Sequence, residues 1–166
     1  MPYPDGWPKE EDRHYPTLPR QEIGQLADGN LILRLKETQS AKPAKRWAAS
    51  HLFDMMEVGS KRTVGMIHLR LADTEDLVLH SGHVGYGVDE PYRGRHYAAR
   101  AVRLILPLAR KAGMTTLWIT TDPENGASRR TLEIAGGDLV EIRELPEGCA
   151  LHKLGRRQVC RCRFDL

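Results

Sequence analysis

Apolar and polar positions along this chain first alternate, then recur at three and four, then alternate again, and each rhythm predicts a different element. Residues 31–36 (LILRLK) read as a first strand and 49–58 (ASHLFDMMEV) as a second, although Trp47 through Met55 also fits a short helix. Gly59-Ser60-Lys61-Arg62 is a turn signal, and the TVGMIHLRL after it alternates as the hairpin partner of the preceding segment. Residues 72–80 connect to a strand near 82–88. The longest helical pattern comes next: Ala98, Ala101, Val102, Ile105, Leu108, Ala109 and Ala112 form one face, with Arg95, Arg100, Arg103, Arg110 and Lys111 on the other. Pro107 removes one backbone bond and predicts a kink, and Gly113 ends the helix. TTLWITT (115–121) is a β-branched strand, and a helix from about Asn125 to Ala135 stops at Gly136-Gly137. Strands near 138–143 and 157–165 close the chain.

This order predicts an α/β chain of the α+β type: a mixed, mostly antiparallel central sheet with one parallel strand-helix-strand crossover around the 93–112 helix. At 166 residues and 40% apolar composition, a single domain spanning 1–166 is expected. Residues 1–24 read as an extended arm, since Pro2, Pro4, Pro8, Pro16 and Pro19 resist regular structure.

Composition narrows the partners. There is no apolar run of about 18 residues and no charged-then-apolar leader, so neither a membrane span nor a secretory signal is expected and the cytoplasm is favoured. Cys149, Cys160 and Cys162 form no even set and lack a second pair at finger-like spacing, which favours reduced thiols over a metal site. The net charge of +3, from 25 basic and 22 acidic residues, gives no case for a nucleic-acid surface. Arg93, Arg95, Arg100, Arg103, Arg129 and Arg130 nonetheless gather centrally, which suits a small polyanion better than DNA.

The densest chemistry lies in residues 83–99, HVGYGVDEPYRGRHYAA, where a strand turns into the long helix. The first amides of a helix have no internal partner and sit at the positive end of its dipole, a ready anion site. Gly94 allows close approach to the backbone, while Arg93 and Arg95 add charge where a pyrophosphate would need it. The competing reading is an ordinary junction with solvated arginines. A dinucleotide fingerprint is absent, because Gly82, Gly85 and Gly87 come in the reverse spacing inside the strand, and no Gly-Lys-Ser/Thr loop occurs.

VGYGVDEPYRGRHYAARAV resembles the coenzyme A-binding segment of the GNAT (Gcn5-related) N-acetyltransferases, and DPENGASRRTLEIAGG resembles that family's Asn-x-x-Ser helix. The likeness covers roughly residues 63–143, with an acetyl-CoA-binding core at 82–136. It implies an enzyme that uses acetyl-CoA as co-substrate and no metal. Its acetyl group would pass, by direct attack, to a primary amine on a small-molecule or peptide acceptor. Tyr86, Gly87 and Val88 would present strand backbone to the pantetheine and the thioester. Arg93, Gly94, Arg95, His96, Tyr97, Ala98 and Ala99 would wrap the pyrophosphate. Asn125 would touch the pantetheine from the other side, and Arg129 or Arg130 would reach the 3′-phosphate. Oligomeric state is left open, a homodimer included. Two rivals stand: a non-catalytic acyl-CoA-binding or sensing module on the same fold, and a protein binding another nucleotide.

Three departures bear on mechanism. The family's middle glycine is His96, its tyrosine acid is replaced by Leu132, and a carboxylate found in some members at the end of the 115–121 strand is Thr120. An alkyl amine is almost wholly protonated at neutral pH, so a base is required. His83 is the first candidate; the other reading makes it a strand histidine exposed on the sheet face. Tyr97 and Tyr86 are the phenols that could replace the acid, or packing residues. His80 and His83 would point to opposite faces of a strand, which argues against a shared ion. The two-helix lid of the family is abbreviated in the basic segment 37–48, and the 144–157 loop carries both signs of charge.

Overall fold

Residues 12–166 are described by the computed structural model, so Pro2, Pro4 and Pro8 of the expected arm lie outside the described residues. The rest of the arm is not extended throughout. A two-residue strand, β1 (Arg13–His14), is followed by a short helix, α1 (Arg20–Ile23), that starts after Pro19 and stops at Gly24. Tyr15, Leu18 and Ile23 are buried, and it is this burial that fixes the segment. The Leu18 amide also donates to His51 Nε2 at 3.0 Å.

The strands that follow are β2 (Leu26–Asp28), β3 (Leu31–Gln39), β4 (Ser50–Glu57), β5 (Arg62–Arg70), β6 (Ala72–Asp73) and β7 (Val84–Val88). Then come α2 (Tyr97–Lys111), β8 (Thr116–Thr121), α3 (Gly126–Ala135), β9 (Asp138–Glu144), α4 (Ala150–Lys153) and β10 (Gln158–Asp165). One sheet has the order β2-β3-β4-β5-β7, a second β8-β10-β9, and β1 pairs with β6. Every ladder among the described residues is antiparallel, and β7-α2-β8 supplies the parallel crossover. Residues 50–57 pair on both sides as a strand, which settles the strand-or-helix ambiguity. No helix among the described residues is long and apolar enough to cross a membrane.

The stripe predicted on α2 is buried from Ala98 to Ala112 and packs on Phe53, Ile67 and Leu69 of the first sheet. Pro107 lies on the exposed side, where its missing donor faces water rather than core. Residues 72–80 are more than a connection. After β6 the chain winds into a wide π turn, Leu77–Ser81, which buries Val78 and Leu79 on Trp118. Arg161 of β10 pins that turn: Nε and Nη2 donate to the Val78 carbonyl, Nη1 meets Glu141 at 2.6 Å, and the guanidinium lies 4.0 Å over the Trp118 ring. A guanidinium only 2% exposed is tolerable because each of these partners compensates its lost water.

The arm also closes a buried polar chain. Tyr15 Oη donates to Asp73 Oδ2 at 2.6 Å, and Asp73 Oδ1 meets His83 Nε2 at 2.9 Å. Burial first, and the bond to Asp73 second, push the Tyr15 phenol from 10 up to about 12. Below pH 10 the phenol is neutral folded and unfolded, so its full contribution is present. Between pH 10 and about 12 the unfolded chain ionises first, and on the order of 2–3 kcal/mol should be lost. Alkaline denaturation monitored by tyrosine absorbance should show this loss in the wild type and a shallower slope in Tyr15→Phe.

Candidate active site

β7 and β8 run side by side but belong to different sheets, and they touch at one end. There the His83 amide donates to the Trp118 carbonyl at 2.7 Å, and the Trp118 amide donates to His83 Nδ1 at 2.8 Å. Beyond that apex the strands part. Alternation decides which backbone groups enter the gap. The His83 carbonyl and the Asp89 amide bond into β5, so odd-numbered residues of β7 face β5, and Val84, Tyr86 and Val88 face the unpaired side. Tyr86 and Val88 thus have the exposed edge expected of them, whereas Gly87 turns its backbone toward β5. The Val88 carbonyl is taken by Arg93 Nε at 3.0 Å, leaving the Val88 amide toward the gap.

At the open end, the chain after β7 makes a 3-10 turn, Glu90–Tyr92, and enters α2 through Gly94 and His96. Gly94 has φ 83° and His96 φ 59°, both left-handed. The family's glycine position therefore demands a positive φ here too, and His96 accepts it at a cost of roughly 1–2 kcal/mol. The bend turns the amides of residues 94 to 99 outward. Arg100 is the first whose amide finds a helical acceptor, the His96 carbonyl, and none of the preceding six has an acceptor among the described residues. No acidic residue occupies the first turn. Six such amides, at the positive end of a helix, form an anion cradle.

The side chains nearby are placed differently from expectation. Arg95 is drawn to Glu57 Oε2 at 3.1 Å, and Tyr97 Oη donates to the same oxygen at 2.6 Å while accepting from Asn30. These bonds hold Glu57 below the usual carboxylate range, the Tyr97 bond contributing most. Tyr97 is thus buried in the β4–α2 contact, and its hydroxyl has no proton to offer a thiolate in the gap. Asn125 spends its side-chain oxygen capping α3, accepting from the Ser128 amide at 3.0 Å. Arg129 lines a separate groove of about 500 Å³ with Gly126, Cys160 and Cys162. Burial pushes the Cys162 thiol up to about 11, so it stays protonated and inert. Leu132 is wholly buried. A phenol does reach the α3 wall, however: Tyr86 crosses from β7 and its hydroxyl lies 2.7 Å from Ser128 Oγ, one helical turn before Leu132. Burial raises the Tyr86 phenol above its ordinary range.

His83 is where sequence and structure disagree most. It is 0% exposed, neither on an open sheet face nor in reach of an acceptor. A backbone amide can only donate, so Nδ1 accepts from Trp118 and Nε2 carries the proton toward Asp73. With both nitrogens committed, His83 closes the apex of the gap and takes no proton from an amine.

The sheet face opposite α2 is the unexpected part. Gly85 and Gly87 leave it bare beside His68 and Met66, their register neighbours on β5, with the Arg70 guanidinium next to Gly85. Between β3 and β4 a 3-10 turn, Pro43–Lys45, and a single bridge, Lys42 to Trp47, stand where two helices would cover this face. Met66 is accordingly 44% exposed. A cavity of about 770 Å³ opens here between the π turn, β5 and the 46–50 segment, lined among others by His68, Arg70, Asp76 and His80. Sequence reasoning named His80 only as a metal question. The signal lay in the Asp76-to-His80 spacing, which one helical turn brings together. Among the described residues there is no group of three or more metal-ligating side chains.

The family model for the Acetyltransferase (GNAT) domain matches residues 9–138. Among solved structures, the ribosomal-protein-S5-alanine acetyltransferase of Vibrio fischeri superposes with a TM-score of 0.59 over 85% of this chain and 96% of its own, at 14% identity. RimL, a ribosomal L7/L12 alpha-N-protein acetyltransferase in complex with coenzyme A, gives 0.62 over 86% and 98% at 11% identity. A GNAT-family acetyltransferase of Bacillus anthracis gives 0.55 over 69% and 65% at 19% identity. At such identities the likeness is one of fold. No curated protein matches the sequence.

Proposed function

Because the chain belongs to the GNAT acetyltransferases, enzymes whose acyl donor is acetyl-CoA, we propose that it acetylates a primary amine at the end of a peptide or protein chain. The observation that carries this reading is the row of six unpartnered amides, 94 to 99, beside the unpaired edge of β7. The amides would take the pyrophosphate, and the β7 edge would pair with the pantetheine. The amine then attacks the thioester carbonyl carbon, and the Val88 or Tyr86 amide, directed into the gap, receives the oxyanion. As the C–S bond breaks, the Tyr86 hydroxyl gives the thiolate its proton. A chain end is preferred to a small amine because the uncovered face next to the gap is broad, and because the Vibrio fischeri protein and RimL carry ribosomal-protein acetyltransferase names. Three free thiols fit a reducing cytoplasm, where acetyl-CoA is also at hand.

The test has two arms. Acetyl-CoA at 100 times its dissociation constant should add about 2.7 kcal/mol, a melting shift of roughly 5–10 °C for a chain of this size. Thiol release from acetyl-CoA is then followed with alanine- and serine-initiated peptides and with spermidine. Release with the peptides supports the reading; release with spermidine alone moves the acceptor to the small amines. A melting shift without release to any amine leaves a coenzyme A sensor, and a shift with ADP but not with coenzyme A rejects the family's ligand.

A further inference from the structure

With His83 committed, the amine's proton needs another acceptor, and the cavity on the open face contains two imidazoles. His80 is the better placed of them. Its carbonyl accepts from Thr120 Oγ1 at 2.7 Å, which fastens the residue to β8 on the far wall of the gap. Its Nδ1 lies 3.4 Å from Asp76 Oδ1, and Asp76 is itself held by Ser81 Oγ donating to Oδ2 at 2.6 Å. The contact with His80, first, keeps the Asp76 carboxyl below its ordinary range. A carboxylate at Nδ1 fixes the proton there and leaves the Nε2 lone pair without a partner among the described residues, on a side chain that lines the cavity and is 8% exposed. His68, by contrast, has no orienting hydrogen bond among the described residues, and burial, together with Arg70, lowers its basicity. The departure at Thr120 is thereby explained: the position that carries a carboxylate in some relatives here carries a hydroxyl that anchors a histidine.

We propose that His80, oriented by Asp76, is the general base that deprotonates the acceptor amine in this cavity. The inference rests on the acetyl-transfer reading. The ammonium gives its proton to His80 Nε2, the freed lone pair forms the C–N bond, the C–S bond breaks, and the thiolate is protonated by Tyr86. The imidazolium then releases its proton to water through the cavity mouth. The charged and titratable groups that line the cavity with it are Asp76 and Glu75 of its own segment, Arg70 and His68 of β5, Arg46, Cys149 and Asp12 of the arm. Arg70 bonds to the Gly82 carbonyl at 3.0 Å, at the end of the π turn that carries His80.

Two probes separate base catalysis from binding. The alanine-initiated peptide is largely protonated at about pH 6.5, whereas hydroxylamine is largely neutral there and needs no base. His80→Gln should slow transfer to the peptide about 100-fold and transfer to hydroxylamine less than about threefold. It should keep the acetyl-CoA melting shift and move the acidic limb of the kcat/KM profile to that of the peptide amine itself. Asp76→Asn should displace that limb without abolishing transfer. Equal losses with both probes, no loss with either, or a selective loss in His68→Gln instead would each overturn the assignment. If the wild type releases thiol to neither probe nor to spermidine, the transferase reading itself falls, and the base with it.

Discussion

Replacing His83 by alanine should cost about 3–5 kcal/mol of stability while leaving the shape of the pH–rate profile of the surviving folded enzyme intact. The reason is that His83 sits in a chain of buried polar groups, and its removal orphans two of them. The Trp118 amide loses its acceptor and Asp73 loses the donor at 2.9 Å. Each buried group left without a partner costs about 1–3 kcal/mol, and an anion costs more. A side-chain-sized void beside Trp118 and Tyr15 adds to this. In a chain of this size the melting temperature should fall on the order of 10 °C. Denaturant unfolding measures the first quantity, and thiol release across pH the second. A variant of normal stability whose acidic limb had moved to that of the acceptor amine would restore His83 to the chemistry.

Tyr86→Phe should do the opposite: stability should fall by only about 1 kcal/mol, the worth of the bond to Ser128, while kcat drops about 100-fold. Tyr97 cannot share this task, because Glu57 and Asn30 hold its hydroxyl in the core. Burial keeps the Tyr86 phenol protonated, as an acid must be when the thiolate departs. The measurement is single-turnover thiol release with acetyl-CoA saturating, so that weaker binding does not masquerade as slower chemistry. An unchanged rate would make Tyr86 a wall of the pantetheine channel and nothing else.

What the sequence made legible was local. The stripe on α2, the glycine stop after it and the amide-rich turn at its start are each written within one or two turns of chain. His96 could be read as the awkward residue of that turn because the demand for positive φ belongs to one position. The partners of His83, by contrast, are Asp73 ten residues away and Trp118 thirty-five residues away, with Tyr15 reaching the same carboxylate from the arm. No periodicity records such meetings. Strand alternation misled at residues 77–81 as well, because the π turn rotates His80 away from the direction a strand would give it. For Gly87, the side toward which its backbone points was set by the pairing with β5, which the strand's own residues do not specify.

The short link between β3 and β4 has one further consequence. Where two helices could fold over bound acceptor, this enzyme has a 3-10 turn of three residues, so the described residues between β3 and β4 cannot shut bulk water away from the thioester. Dryness must then arrive with the acceptor: a chain end broad enough to cover Gly85, Gly87 and Met66 would seal the site as it binds, and an amine too small to do so would share the acetyl group with hydrolysis.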